Sequence, residues 1–225
     1  MSTVETIKPD DIEKRSFEII ERELKAQNIS VPLYYEGKTA EETALCRDII
    51  IRCIHTTADL NYAETMRFSP GSVDIIQKQL SDGANIITDT NMALAGINKK
   101  MLETLGGRAF CFMADEEIGR KAKERGCTRA YAAMEKAAGL HKANRSRPLI
   151  FAIGNAPTAL IALYDMFSSG TYKPDLIIGV PVGFVNVEAS KELIMATDIP
   201  YIINSGRKGG SPVAAAVLNA VLYSL

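Results

Sequence analysis

Leu149-Ile150-Phe151-Ala152-Ile153-Gly154-Asn155-Ala156-Pro157-Thr158 is the stretch from which the rest of the chain can be read. Its apolar run reads as a strand, its glycine-bearing segment as a loop, and the residues from Thr158 onward as a helix. The same order returns at Gly179-Val180-Pro181-Val182-Gly183-Phe184 and at Ser205-Gly206-Arg207-Lys208-Gly209-Gly210-Ser211-Pro212, each preceded by a short apolar run. Units of this kind join through parallel crossovers, so all three loops gather at the carboxyl edge of one sheet, where open α/β sheets bind ligands. Glycine lets backbone N–H groups approach a ligand, and each succeeding helix turns its positive end to the same space. The ligand expected there is anionic.

Working outward, strands are predicted near Ala63 to Phe68, Asn85 to Thr90, Arg108 to Met113, Leu149 to Gly154, Leu176 to Val180 and Tyr201 to Asn204. Helices fit between them at Ser72 to Ser81, Lys99 to Leu105, Asp115 to Ala138, Thr158 to Ser168, Asn186 to Ala196 and Pro212 to Tyr223, the third broken near Gly126-Cys127-Thr128. Two helices come first, one over Asp10 to Gln27 and one opening at the capping box Thr39-Ala40-Glu41-Glu42 and running through Ile54. A helical part, 1–60, and an alternating part, 61–225, are thus expected in a single domain. The terminal helix is apolar on most sides, which calls for either burial on the sheet or a subunit contact.

Composition narrows the function classes. Hydrophobic residues at 47% and charged residues at 24% are ordinary for a soluble globular protein. A net charge of −1 gives no global basic field to gather nucleic acid or an anionic membrane. Cys46, Cys53, Cys111 and Cys127 lack both CxxC spacing and histidine partners, so free thiols are expected, with no zinc site and no disulfide framework. The most apolar stretch, Leu149 to Phe167, contains Gly154, Asn155, Pro157 and Asp165, which argues against a bilayer span. Met1 to Lys8 has no signal-peptide core, and a cytoplasmic location is expected.

Two histidines are available. His141, in Leu140-His141-Lys142-Ala143-Asn144-Arg145, reads as a solvated residue of a polar connector. His55 ends the second helix, with Arg52 three residues earlier on the same face. As the side chain that changes charge nearest neutral pH, a histidine there is a candidate for proton transfer, although a lone helical histidine is more often structural. Arginine suits a carboxylate-rich ligand because its planar fork engages both oxygens. Arg207, with Lys208 beside it inside the last glycine loop, and Arg129, after Gly126-Cys127-Thr128, are the better placed; Arg145 and Arg147 read as a solvated loop. Neither G-x-G-x-x-G nor G-x-x-x-x-G-K-[ST] occurs, which disfavours a nucleotide site, and no G-x-S-x-G elbow supports a hydrolase.

With these residues in place, the chain resembles the precorrin-8X methylmutase family over nearly its whole length. The most specific pieces are Phe68-Ser69-Pro70-Gly71, Ile153 to Leu160, Gly179 to Val185 with Glu188-Ala189-Ser190-Lys191-Glu192, and Gly206 to Ser211. The resemblance implies a flavodoxin-like, three-layer α/β/α fold and a homodimer. The implied enzyme is an isomerase of cobalamin biosynthesis that moves a methyl group from C-11 to C-12 of a corrinoid ring. It implies His55 as general acid or base within an R-x-x-H element whose arginine is Arg52, with Ser16 and Arg129 as substrate contacts. Members often follow the histidine with Ala-Cys-Gly, where this chain has Thr56-Thr57-Ala58. Asn155, Thr158, Gly183, Phe184, Ser205, Arg207, Gly209 and Gly210 complete the expected substrate-binding set from the three loops. Such a rearrangement needs no redox cofactor and no covalent nucleophile, so no cofactor or metal is expected. A corrinoid carrier without catalysis would present the same loops, but has no need of a titratable group such as His55.

Overall fold

A computed structural model describes residues 4–31 and 40–225. Six strands form one sheet: β1 (Met66–Phe68), β2 (Asn85–Thr88), β3 (Ala109–Phe110), β4 (Leu149–Ile153), β5 (Leu176–Gly179) and β6 (Tyr201–Asn204), in spatial order β1-β6-β5-β4-β2-β3. From β2 to β6 every neighbouring pair is parallel. Counted from β2, the parallel strands lie in the order 2-1-3-4-5, the flavodoxin-like arrangement, whose topological switch point here falls between β2 and β4.

The alternation of side chains along these strands serves two cores. Ile86, Ile150, Ala152, Leu176, Ile178 and Ile202 face one layer; Ile87, Phe151, Ile153, Ile177 and Ile203 face the other. The first layer holds α1 (Ile12–Ala26), α2 (Ala40–Thr57), α4 (Ser72–Ser81), α5 (Asn91–Gly96), α6 (Lys99–Thr104) and α11 (Ser211–Ser224), after the short α3 (Tyr62–Thr65) that leads into β1. The second holds α7 (Glu116–Arg125), α8 (Arg129–Ala143), α9 (Pro157–Ser168) and α10 (Val187–Met195).

Several expectations are revised. Tyr62 to Thr65 is a helical turn, which shortens the first strand, and that strand runs antiparallel to β6 at the sheet's edge, through the register Met66 to Asn204 and Phe68 to Ile202. The connection from β1 is therefore not a parallel crossover. Asn91–Gly96 forms a helix that its composition did not announce, started by Thr90, whose hydroxyl accepts the Ala93 N–H at 3.0 Å. The break between α7 and α8 falls where it was expected, with Gly126 left-handed (φ 65°) and Thr128 capping the next helix. The capping residue Thr39 and the side chains of 40–42 lie outside the described residues. The apolar terminal helix is buried within the chain, since α2 and α5 pack against it and Ala214, Val217, Leu218, Val221 and Leu222 are each fully buried.

Candidate active site at the carboxyl edge

The three glycine loops meet as their positions predicted, and they meet at backbone contact. Val180 N–H donates to Ile153 O, Gly183 N–H to Arg207 O at 3.1 Å, and Gly210 N–H to Val180 O at 2.8 Å. Such proximity leaves no room for side chains. A Cβ on Gly209 would lie 2.0 Å from Val180 O, and one on Gly154 would lie 2.7 Å from Ser211 Cα.

The first loop uses its amides differently from the expectation. Asp89, directly after β2 at the switch point, accepts Gly154 N–H at 2.9 Å on one oxygen and Asn155 and Ala156 N–H at 2.8 and 2.6 Å on the other. It is fully buried, and that burial raises its pKa against the opposing pull of the three amides. The position a ligand anion would take at the switch point is thus held by the protein's own carboxylate. This is a second physical argument against a nucleotide there, and it leaves Asn155 to offer its exposed side chain rather than its amide. Thr158 accepts a hydrogen bond from the Thr128 hydroxyl at 2.7 Å, and Arg129 donates to Met113 O at 3.3 Å while lying over Gly119.

The last loop has the opposite polarity. Asn204 and Lys191, both fully buried, point donors at its carbonyls. Lys191 Nζ reaches Gly206 O at 2.7 Å and Lys208 O at 3.0 Å; Asn204 Nδ2 reaches Ser205 O and Lys208 O at 3.3 and 2.9 Å. Burial pushes the Lys191 ammonium down to about 8, with Glu188 pulling the other way. Ser205 turns both its N–H and its hydroxyl to Thr65 O. Arg207 rests on Glu188 at 2.9 Å and over the Phe184 ring at 5.6 Å. Phe184, 83% exposed, and Val185, 77% exposed, are too open to belong to either core and form an apolar platform beside that guanidinium.

His55 is exposed at the end of α2, edge-on to Phe17 with ring centroids 5.3 Å apart. Arg52 bonds Glu13 at 2.8 Å and sits over the rings of Phe17 and Tyr223, so it joins α1, α2 and the carboxyl-terminal end of α11. Ser16 is on the same stretch of α1 and donates back to Ile12 O. Lys208 meets Asp59 at 2.5 Å, four residues past His55, and ties the last glycine loop to the segment just beyond the histidine's helix. The structure therefore groups Ser16, Arg52 and His55 on α1 and α2. It groups Gly183, Phe184, Ser205, Arg207, Gly209 and Gly210 in the two adjoining loops, and it leaves Asn155 and Thr158 beyond the end of β4, with Arg129 against Met113 O past β3 and Gly119 of α7.

Two residues of this edge escaped sequence reasoning. Asp89 was signalled by Thr88-Asp89-Thr90, a polar trio directly after an apolar strand; Lys191 carried no local signal beyond its place in a quoted motif. His141 was misplaced. It is buried in the last turn of α8, where Nε2 meets Arg147 O at 2.9 Å and Nδ1 meets the Tyr172 hydroxyl at 2.7 Å. A carbonyl only accepts, so Nε2 carries the proton in the neutral ring and Nδ1 accepts from the tyrosine. Arg147, expected in a solvated loop, donates to the carbonyls of Gly83 and Gly106. A hollow of about 340 Å³ lies by these residues and β3. It is lined largely by apolar side chains, and both nitrogens of its histidine are already engaged.

Comparison with known proteins gives a consistent answer. The family model described as precorrin-8X methylmutase matches residues 11–224. The chain is 39% identical to the cobalt-precorrin-8 methylmutase of Salmonella typhimurium, covering 96% of each chain. It is 37% identical to the cobalt-precorrin-8 methylmutase of Leptospira interrogans, over 94% of this chain and 92% of that one. It is also 37% identical to the precorrin-8X methylmutase of Pseudomonas aeruginosa, over 83% of this chain and 88% of that one. Among solved structures, the precorrin-8x methyl mutase of Thermus thermophilus superposes with a TM-score of 0.78 at 34% identity, covering 95% of each chain.

Proposed function

This chain belongs to the precorrin-8X methylmutase family, and from that premise we propose how its carboxyl edge carries out the methyl shift. The protein is an isomerase of cobalamin biosynthesis. In the proposed reaction the methyl carbon leaves C-11 of the corrinoid ring as it bonds to C-12. One carbon–carbon bond breaks while another forms, and no electron leaves the substrate. His55 lends a proton to the conjugated ring and recovers it once the methyl group has moved, so the proton balance is zero. Holding the ring in the reactive arrangement supplies the remaining acceleration.

The substrate is a flat apolar macrocycle fringed with acetate and propionate groups. Phe184 and Val185 offer it an apolar face, while Arg207, the amides of residues 206–209, Arg52 and Arg129 offer cationic or N–H partners to its rim. The observation that carries this reading is the Lys208 to Asp59 ion pair, which sets the anion-seeking loop and the helix bearing His55 side by side. Burial pushes the Asp59 carboxyl up, but the Lys208 ammonium and the Asn61 N–H outweigh it and hold it below its ordinary range. We further read the chain as a single domain acting in the cytoplasm as a homodimer, which sedimentation at twice 24.5 kDa would bear out and sedimentation at the monomer mass would refute.

Anaerobic incubation with cobalt-precorrin-8 and, separately, with metal-free precorrin-8X tests the reaction. The visible spectrum should shift with time for at least one of them, and the one converted faster identifies the physiological form. Binding of the corrinoid product with no conversion of either substrate would make the protein a carrier.

A further inference from the structure

Lys191 is an unusual residue to find fully buried, and its whole polar reach is spent on the last glycine loop. Every carbonyl from Ser205 to Lys208 is drawn toward the protein: Ser205 by Asn204, Gly206 by Lys191, Arg207 by Gly183 N–H, and Lys208 by both Lys191 and Asn204. All these peptides are trans. In a planar trans peptide the C=O and the N–H of the next residue point in opposite directions. The N–H groups of Gly206, Arg207, Lys208 and Gly209 therefore each point away from the donor of the preceding carbonyl, the fully buried Asn204 and Lys191 or the half-buried Gly183, and among the described residues none of the four has a partner within the chain. The segment is solvent-facing, with Arg207 and Lys208 exposed. Successive outward N–H groups of this kind make an anion-binding concavity.

We propose that Lys191 is the positioning residue of this site: from beneath the loop it turns the carbonyls of Gly206 and Lys208 inward, and so holds the row of N–H groups open to a carboxylate on the rim of the corrinoid. Arg207, parked on Glu188 and Phe184, closes over the same carboxylate from the outer side. Lys191 touches no substrate atom. Its effect passes through the backbone, and Asn204 alone would leave Gly206 O without a donor. This inference rests on the reading that the 205–210 loop receives a substrate carboxylate, and the test separates the two.

The experiment compares wild type, Lys191→Met and Lys191→Gln for kcat and KM. It also titrates each protein with the corrinoid product and with the same product after its side-chain carboxylates have been amidated. Wild type should prefer the carboxylate form. Lys191→Met should raise KM at least tenfold, leave kcat within about threefold and lose most of the preference. Lys191→Gln keeps N–H donors in a neutral side chain; it should fall between the two, and it decides the matter should the methionine variant fail to fold. A variant damaged only in its fold would lose active fraction, lowering apparent kcat at unchanged KM, and that result overturns the role. Unchanged KM and preference in the variants would also overturn it while leaving the carboxylate reading intact. Equal binding of both product forms by wild type would overturn the carboxylate reading itself.

Discussion

His55 and His141, the chain's two histidines, are separated by their surroundings. His55 is exposed and makes no hydrogen bond among the described residues, so its ring nitrogens are available to a bound molecule. His141 has both nitrogens committed, one to a carbonyl and one to a hydroxyl, toward the amino ends of the strands. Replacing His141 by Ala removes two partners from a buried network and should cost about 1–3 kcal/mol of stability, measured by urea unfolding, while turnover per folded molecule stays within about twofold. A large loss of turnover with intact folding would show that the division is wrong. That Arg52 and His55 share one helix was legible because their spacing is local; the role of His55 came only from the resemblance. His141 was not, because its burial is created by Tyr172, 31 residues later, and by the carbonyl of Arg147 beyond the helix end. Asp89 is a similar case: its neighbours in the sequence suggested polarity, but its three amide partners come from a loop 65 to 67 residues away.

At the level of elements, strand-to-loop-to-helix order was readable because parallel strands carry continuous apolar runs and their loops carry glycine. The antiparallel turn of β1 was not, since three residues in a strand encode no direction; direction came from the pairing of Met66 to Phe68 with β6. The polarity of the last loop was equally hidden, because it depends on Lys191 reaching up from α10. That lysine gives the element a pH signature. Its folded value, about 8, lies below the ordinary lysine value of 10.5, so between these the unfolded chain binds more protons than the folded one. Burial of the charged form is therefore a cost carried below pH 8 and relieved as pH rises toward the unfolded value. Wild-type stability should accordingly rise relative to Lys191→Met on going from pH 7.5 to 9.5, read from chemical denaturation at each pH. A difference that stays flat or falls would show that the buried ammonium keeps an ordinary affinity for its proton.

Across the whole molecule, the sheet brings to one edge residues that lie far apart along the chain, from Asp59, just beyond α2, and Asp89 to Gly210 at the start of the last helix. Tight backbone contacts between the loops and the burial of α11 on both the sheet and α2 make that edge one continuous surface. No helix among the described residues is long and apolar enough to cross a membrane. In the proposed mechanism the chemistry asked of this surface is modest, one proton lent and recovered, and the rest is orientation. A general acid or base contributes about a hundredfold to ten-thousandfold to rate. The measurement that bears most directly on the account is single-turnover conversion by His55→Ala beside titration of the same variant with the corrinoid product. The expected result is a rate lower by about a hundredfold or more with product affinity within a few-fold of wild type. Weakened binding with an unchanged rate at saturation would contradict it and make His55 a binding residue.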